Sequence, residues 1–136
     1  MRVLFLALLL WAAVGESREG RLVGVVDGDT IKVEVVTWPW PELTAVWTVR
    51  LIGVDAPELR GACDGERAAA RRARDALLPF IGRKVRLTGI RPDKYPTRID
   101  ARVRLRGVPD LSEWLLEQGL ARRYAGSSRA GWCPGR

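Results

Sequence analysis

Histidine is missing altogether from these 136 residues, which removes several kinds of chemistry at once. Without an imidazole, a general acid or base must be Asp, Glu, Lys or Tyr, because arginine stays protonated. A metal site must rest on oxygen donors or on the only two cysteines, Cys63 and Cys133. Hard ions such as Ca²⁺ or Mg²⁺ therefore lead and zinc is disfavoured. Hydrolases that work through histidine are excluded. Long apolar runs are also scarce. Val3–Val14, twelve residues, is too short to span a bilayer as a helix. Internal repeats and a domain linker are absent, so the length fits one domain with its own core.

Several features stand against these absences. Arg2 followed by the Val3–Val14 run and the small residues Ala13-Val14-Gly15 has the pattern of a secretory signal over residues 1–15, with an uncleaved N-terminal anchor as the alternative. Cleavage would make the protein secreted or periplasmic and would limit its membrane contact to the signal itself. Lys plus Arg outnumber Asp plus Glu by 23 to 16, a net charge of +7. That balance favours a polyanionic partner without specifying one. In an oxidising compartment, Cys63 and Cys133 are expected to pair across 70 residues, tying the tail to the middle of the chain.

The order of elements is legible from periodicity. Arg21–Val26 and Ile31–Val36 flank Asp27-Gly28-Asp29-Thr30, the signature of a hairpin. Residues 37–42, Thr-Trp-Pro-Trp-Pro-Glu, read as a protruding loop, because proline lacks a ladder donor; Trp38 and Trp40 are expected to pack on the adjoining barrel wall, with stacking on bases as the alternative. Leu43–Val54 is a third strand. Gly61–Phe80 is helical, with Ala70, Ala73, Leu77 and Phe80 as its apolar stripe and Arg67, Arg71 and Arg74 on a solvated face. Lys84–Ile90 and Arg98–Leu105 are strands four and five, separated by a charged loop, 91–97. Asp110 with Glu113 forms a capping box for a short helix that ends at Gly119. Five strands, one helix between the third and fourth and one after the fifth, predict a five-stranded Greek-key barrel of the OB type. The domain spans residues 20–124, and 125–136 is a tail held chiefly at Trp132 and Cys133.

The chemistry concentrates in Arg50–Glu58, where an apolar strand carrying an arginine runs into Val54-Asp55-Ala56-Pro57-Glu58. Pro57 halts the strand and sets Asp55 and Glu58 around a turn. If Asp29 and Arg98 converge on this stretch, the result is an oxygen-donor metal site beside two guanidinium groups, a set suited to phosphodiester hydrolysis. Glu58, held off the strand, is the candidate to deprotonate water.

Five blocks carry a closer resemblance: Val26-Asp27-Gly28-Asp29-Thr30-Ile31, Val49–Glu58, Asp93-Lys94-Tyr95, Arg98 ahead of Ala101, and Gly119-Leu120-Ala121. In order and spacing, over residues 20–124, the chain resembles the staphylococcal nuclease (thermonuclease) family. The resemblance implies a Ca²⁺-dependent endonuclease on an OB-fold barrel with one ion; acid side chains at this spacing also accept Mn²⁺ in its place. Such an enzyme cleaves DNA and RNA with little sequence preference and leaves 3′-phosphate ends. It implies Asp29 and Asp55 as carboxylate ligands, the Ala56 carbonyl as a third, and Asp27 just behind them. It makes Glu58 the general base and Arg50 and Arg98 the phosphate-binding arginines. Lys94 and Tyr95 would contact a substrate phosphate, and Tyr124 a base. The expected protein is a monomer without a stable protein partner.

Two departures stand out. Ala56 replaces a threonine found in the best-known members, which keeps a carbonyl ligand and removes a hydroxyl contact. Pro96-Thr97 separates Tyr95 from Arg98 where glycine is usual, so the loop geometry must differ. Arg102 is the alternative to Arg98. Two other functional readings remain: an OB-fold nucleic-acid-binding protein without catalysis, and a secreted basic protein acting on a protein partner or the cell wall.

Overall fold

The computed structural model describes residues 16–126 and 130–135; the expected signal over 1–15 lies outside them. Strands β1 (Arg18–Asp27) and β2 (Thr30–Pro39) form the first hairpin, paired from Gly20 opposite Val35 to Asp27 opposite Thr30. Alternation turns Ile31, Val33 and Val35 into the core and leaves Lys32 and Val36 outside.

Strand β3 (Glu42–Leu51) pairs with β2 from Thr30 opposite Arg50 out to Pro39 opposite Glu42. Residues 37–42 are therefore not the loop that their prolines suggested. Pro39 and Pro41 fall at the hairpin tip, where a missing donor costs the ladder little. The indoles of Trp38 and Trp40 are 58% and 85% exposed rather than packed on a wall. The pairing of β1 with β2 ends at Val35 and that of β3 with β6 begins at Thr48, so the tip that carries the rings is a two-stranded arm.

After the two-residue strand β4 (Val54–Asp55) comes helix α1 (Asp64–Leu77), closed by a 3₁₀ turn over Leu78–Phe80. The helix begins three residues later than its apolar stripe suggested, because Cys63 is extended and the Ala62 N–H is taken by the Glu66 side chain. Ala70, Ala73 and Leu77 are buried, and Phe80 meets Trp114 edge to face at 5.1 Å.

Strand β5 (Lys84–Pro92) runs past its expected end at Ile90 through a bulge between Thr88 and Arg91. Strand β6 (Arg98–Leu105) and helix α2 (Leu111–Glu117) follow. Asp110 caps α2 by accepting from the N–H groups of Ser112 and Glu113. The Glu113 carboxylate does not return to the cap but pairs with Arg123 in β7 (Arg122–Arg123).

The five long strands close a barrel in the order β1-β2-β3-β6-β5. The pairing of β3 with β6 is parallel and every other pairing antiparallel. This is the Greek-key OB barrel, with α1 between its third and fourth strands and α2 after its fifth. Leu22, Ile31, Leu51, Leu87, Val103 and Leu111 are among the fully buried side chains at its centre, each contributing roughly 1.5–3 kcal/mol of apolar burial. The short strands β4 and β7 pair separately, Asp55 opposite Arg122. Among the described residues no helix is long and apolar enough to cross a membrane.

Candidate active site

The site is built where β3 leaves the barrel, against the β1–β2 turn. The Asp29 carbonyl accepts from Leu51 N–H at 2.8 Å, which locks the turn to the end of β3. The Asp29 carboxylate is satisfied from two sides: by the Thr30 hydroxyl at 2.9 Å and by the Ala56 N–H at 2.9 Å. Gly28 makes this approach possible, since a Cβ there would lie 2.6 Å from the Ala73 Cβ and 2.9 Å from the Ala56 Cβ. Any side chain would push the turn off α1 and away from Ala56.

Arg50 is 8% exposed and lies between two equally buried acids. One of its terminal nitrogens is 3.7 Å from Asp29 Oδ2 and 3.8 Å from Asp55 Oδ1, and it donates to the Val54 carbonyl at 3.3 Å. The guanidinium also lies 5.5 Å from the Tyr124 ring centroid. Tyr124 is brought there by its own N–H, which donates to Gly53 O at 2.9 Å. Two buried carboxylates against one cation leave an excess of negative charge. Asp27 adds to it: its carboxylate accepts from the Asp29 N–H at 3.1 Å. Burial, and then the charge of Asp29, push the Asp27 carboxyl up to about 6.

Such crowding of oxygen anions is what a hard divalent cation relieves. Asp29 and Asp55, which flank the same Arg50 nitrogen, are oxygen donors of the kind such an ion takes. Another cluster, Cys63, Glu66 and Cys133, gathers three potential ligand atoms within 4.8 Å of one another. Its sulfurs are joined to each other at 2.06 Å, so it offers no thiolate to a metal.

Pro57 is buried and Glu58 turns outward. The turn is held from below by Glu66, a buried acid in the first turn of α1. Its carboxylate accepts from Ala62 N–H at 2.9 Å and from Glu58 N–H at 3.4 Å. Gly61 lies against it, where a Cβ would come within 2.5 Å of the carboxylate atoms. The Cys63–Cys133 bridge closes over the same carboxylate, with Cys133 Sγ 3.5 Å from Glu66 Oε2.

The Arg98 side is organised differently. Asp93, with 5% of its side chain exposed, accepts from Arg98 Nε at 2.9 Å and Nη2 at 3.2 Å, a two-pronged pair. The same carboxylate accepts from the Tyr95 N–H at 2.9 Å. The Tyr95 ring lies 4.7 Å from the Arg98 guanidinium and 5.2 Å from Lys94 Nζ. Burial alone would raise the Asp93 carboxyl, but the hydrogen bonds from Arg98 and Tyr95 hold it down to about 2. Its neighbour Asp100 is pushed up by burial and by the hydrogen bond it shares with Asp93, against the pull of Arg91. Thus Pro96-Thr97 is bypassed: Arg98 is aimed by Asp93, five residues earlier, rather than by a glycine turn. Arg102 instead pairs with Asp110 at 2.9 Å.

Asp27, Asp29, Arg50, Glu58, Lys94, Tyr95 and Arg98 open onto one cleft of about 390 Å³. Arg102 does not line it. Tyr124 lies in an adjoining cleft of about 520 Å³ that shares Arg50, Lys94 and Arg98.

The family model for staphylococcal nuclease homologues matches residues 48–131, more than half of the chain. The chain belongs to the staphylococcal nuclease family. It is also similar to the probable endonuclease lcl3 of Emericella nidulans, 31% identical over 138 residues, covering 82% of this chain and 49% of that protein. The chain thus spans about half the length of this relative.

Family motifs pointed to most of the residues around the cleft but gave no role to three that shape it. Glu66 reads in sequence as a polar residue of the first helical turn. Asp93 reads as the opening of the Asp-Lys-Tyr block, although an Asp two residues before an aromatic in a loop is a turn-forming signal that could have revealed its bond to Tyr95 N–H. Arg60, also at the cleft, carries no pattern at all.

Proposed function

We propose that this member of the staphylococcal nuclease family is a secreted or periplasmic endonuclease that hydrolyses phosphodiester bonds of DNA, RNA or both. It depends on Ca²⁺, with Mn²⁺ compatible with the same oxygens, and acts as a monomer without a stable protein partner. The observation that carries the reading is the convergence of Asp29, Arg50, Glu58 and Arg98 on one cleft. The endonuclease name of the fungal relative supports the same reaction class.

Asp29, Asp55 and the Ala56 carbonyl would hold the cation, with Asp27 behind them. The bound ion supplies Lewis-acid polarisation of a non-bridging phosphate oxygen. Arg98, pre-aligned by Asp93, grips the phosphate and stabilises charge that builds on it in the transition state. Arg50, held by Asp29 and Asp55, does the same from its own place on the cleft. Glu58 accepts a proton from the attacking water, whose oxygen bonds to phosphorus as the bond to the 5′ oxygen breaks, and that leaving oxygen takes up a proton from solvent to become the 5′ hydroxyl. The phosphate stays on the 3′ oxygen. Lys94 and Tyr95 contact a neighbouring phosphate, and Tyr124 meets a base from the adjoining cleft. Because these groups address phosphate and ring faces rather than base edges, little sequence preference is expected.

Plasmid cleavage by the mature protein, with Ca²⁺, with EDTA and with Mg²⁺ replacing Ca²⁺, tests the reading. Cleavage with Ca²⁺ that stops in EDTA is expected. Folded protein that gives no chelator-sensitive cleavage would overturn the reading and leave the two non-nuclease alternatives.

A further inference from the structure

The catalytic cleft continues in two directions. Toward Tyr124 it shares Arg50, Lys94 and Arg98 with a cationic neighbour that also holds Arg91, Arg102 and Arg123. Through a different set of residues, Ala56, Glu58 and Arg60, it joins a third cleft of about 400 Å³ that is also lined by Gly131, Trp132 and Cys133 of the C-terminal tail. A strand laid across the scissile phosphate therefore has a second cleft to enter besides that of Tyr124.

The third cleft has a character of its own. Its charged residues are Arg60 and the acids Asp55, Glu58 and Glu66, a balance that repels a phosphate and suits a neutral ring. Trp132 supplies the surface. The half-buried indole is backed by the Arg122 guanidinium, 3.8 Å from the ring centroid. Arg122 is itself fixed by donating to Gly131 O at 2.8 Å and by pairing opposite Asp55 in the β4–β7 ladder. The next residue, Cys133, is bonded to Cys63 at the foot of α1. The indole thus rests on Arg122, which pairs opposite Asp55, and is followed directly by Cys133, bonded to the segment after Glu58, unlike the rings of Trp38 and Trp40 on their two-stranded arm. The family match ends at residue 131, so Trp132 and Cys133 lie outside it.

We infer that Trp132 is a stacking platform for a nucleobase of a single-stranded substrate, on the side of the scissile phosphate opposite Tyr124. The inference rests on the nuclease reading for its placement relative to the cut. Cation–π contact with Arg122 holds the ring at a fixed angle, and stacking on the free part of the indole accepts any base. The Cys63–Cys133 bridge keeps the platform against Glu58, so the subsite requires the oxidised protein.

The test combines binding and cleavage. Binding of a labelled single-stranded oligonucleotide is measured by fluorescence anisotropy in EDTA at low salt, where metal-dependent cutting does not intervene. Cleavage is measured with Ca²⁺ on oligonucleotides carrying one abasic position moved stepwise through the site. Relative to the parent, Trp132→Ala is expected to weaken binding roughly 5- to 100-fold, while Trp132→Phe keeps most of the affinity. In the parent, one abasic position on the side away from Tyr124 raises KM, and in Trp132→Ala that penalty disappears. The abasic scan of the parent needs no variant, and a non-reducing mass verifies the disulfide in each protein. Unchanged binding and an unchanged abasic penalty in Trp132→Ala, with cleavage intact, overturn the subsite and leave the nuclease reading standing. Binding that depends on Trp132, in a parent that never cleaves with Ca²⁺, overturns the nuclease reading and keeps the subsite.

Discussion

The two arginines of the cleft are held by opposite strategies. Arg50 is nearly buried and, besides Asp55 and the Val54 carbonyl of its own turn, is met from distant parts of the chain: by Asp29 from the β1–β2 turn and by Tyr124 from beyond β7. Arg98 is more exposed and is held by its own loop, through Asp93 five residues before it and Tyr95 three residues before it. The Arg50–Glu58 turn is thus a tertiary construction, stapled by Glu66 and the disulfide, whereas the Arg98 loop closes on itself. A site assembled from many remote contacts is disturbed by changes far from the chemistry. One assembled locally tolerates change outside its loop and fails at a single residue.

The largest effects should come from the groups that meet the substrate, and they should be alike on both sides. Glu58→Ala is expected to lower kcat by about 10²–10⁴-fold, and Arg98→Ala by about 10²–10³-fold, each with unchanged circular dichroism. An active Arg98→Ala beside an inactive Arg102→Ala would place the phosphate-binding arginine four residues further along β6.

Next, the two sides should separate. Reducing Cys63–Cys133 removes a covalent closure of the Glu58 turn and should cost roughly 2–4 kcal/mol in denaturant unfolding. It should impair cleavage while leaving the Asp93–Arg98 pair in place. Gly28→Ala attacks the same side through sterics, since its Cβ has no room against Ala73 and Ala56. A loss of about 1–3 kcal/mol with weakened Ca²⁺ dependence is expected, read from urea melts and a Ca²⁺ titration of cleavage.

The smallest effect should be on the Arg98 side. Asp93→Asn leaves Arg98 half-anchored, with kcat/KM down about tenfold by loss of alignment. Asp93 also marks the acid limb of stability. Its folded carboxyl, held near 2, lies below the ordinary carboxylate value, so its contribution is present above that value and disappears as pH falls toward 2. Asp93→Asn should flatten this limb of the stability–pH curve, and equal acid limbs in both proteins would show that the pair contributes nothing.

Elements with regular periodicity were readable in the sequence. The strand Arg98–Leu105 alternates cleanly and runs as expected, and Ala70, Ala73 and Leu77 mark the buried face of α1. The Trp-Pro-Trp-Pro stretch misled because proline reports a missing donor and not whether that donor would have faced a partner. The late start of α1 went unseen because it is set by Glu66 reaching back to Ala62, a contact between side chain and backbone that leaves no periodic trace.

The sequence by itself excluded imidazole chemistry, through the absence of histidine. It also determined the strands of the barrel, through alternation, and the identity of the acids and arginines, through motifs whose residues lie close together along the chain. Only the tertiary structure decided how these groups meet. It put Asp29 against Ala56, 27 residues away, gave Arg98 and Arg102 different acids and only Arg98 a place on the cleft with Glu58, and brought Trp132 and Glu58 to a common cleft. Local patterns record what a segment prefers, whereas the convergence of a site depends on barrel closure and register, which no single segment contains. The Arg50–Glu58 stretch could be recognised from its own residues, but the cleft it serves exists only once β1, α1, β6 and the tail have closed around it.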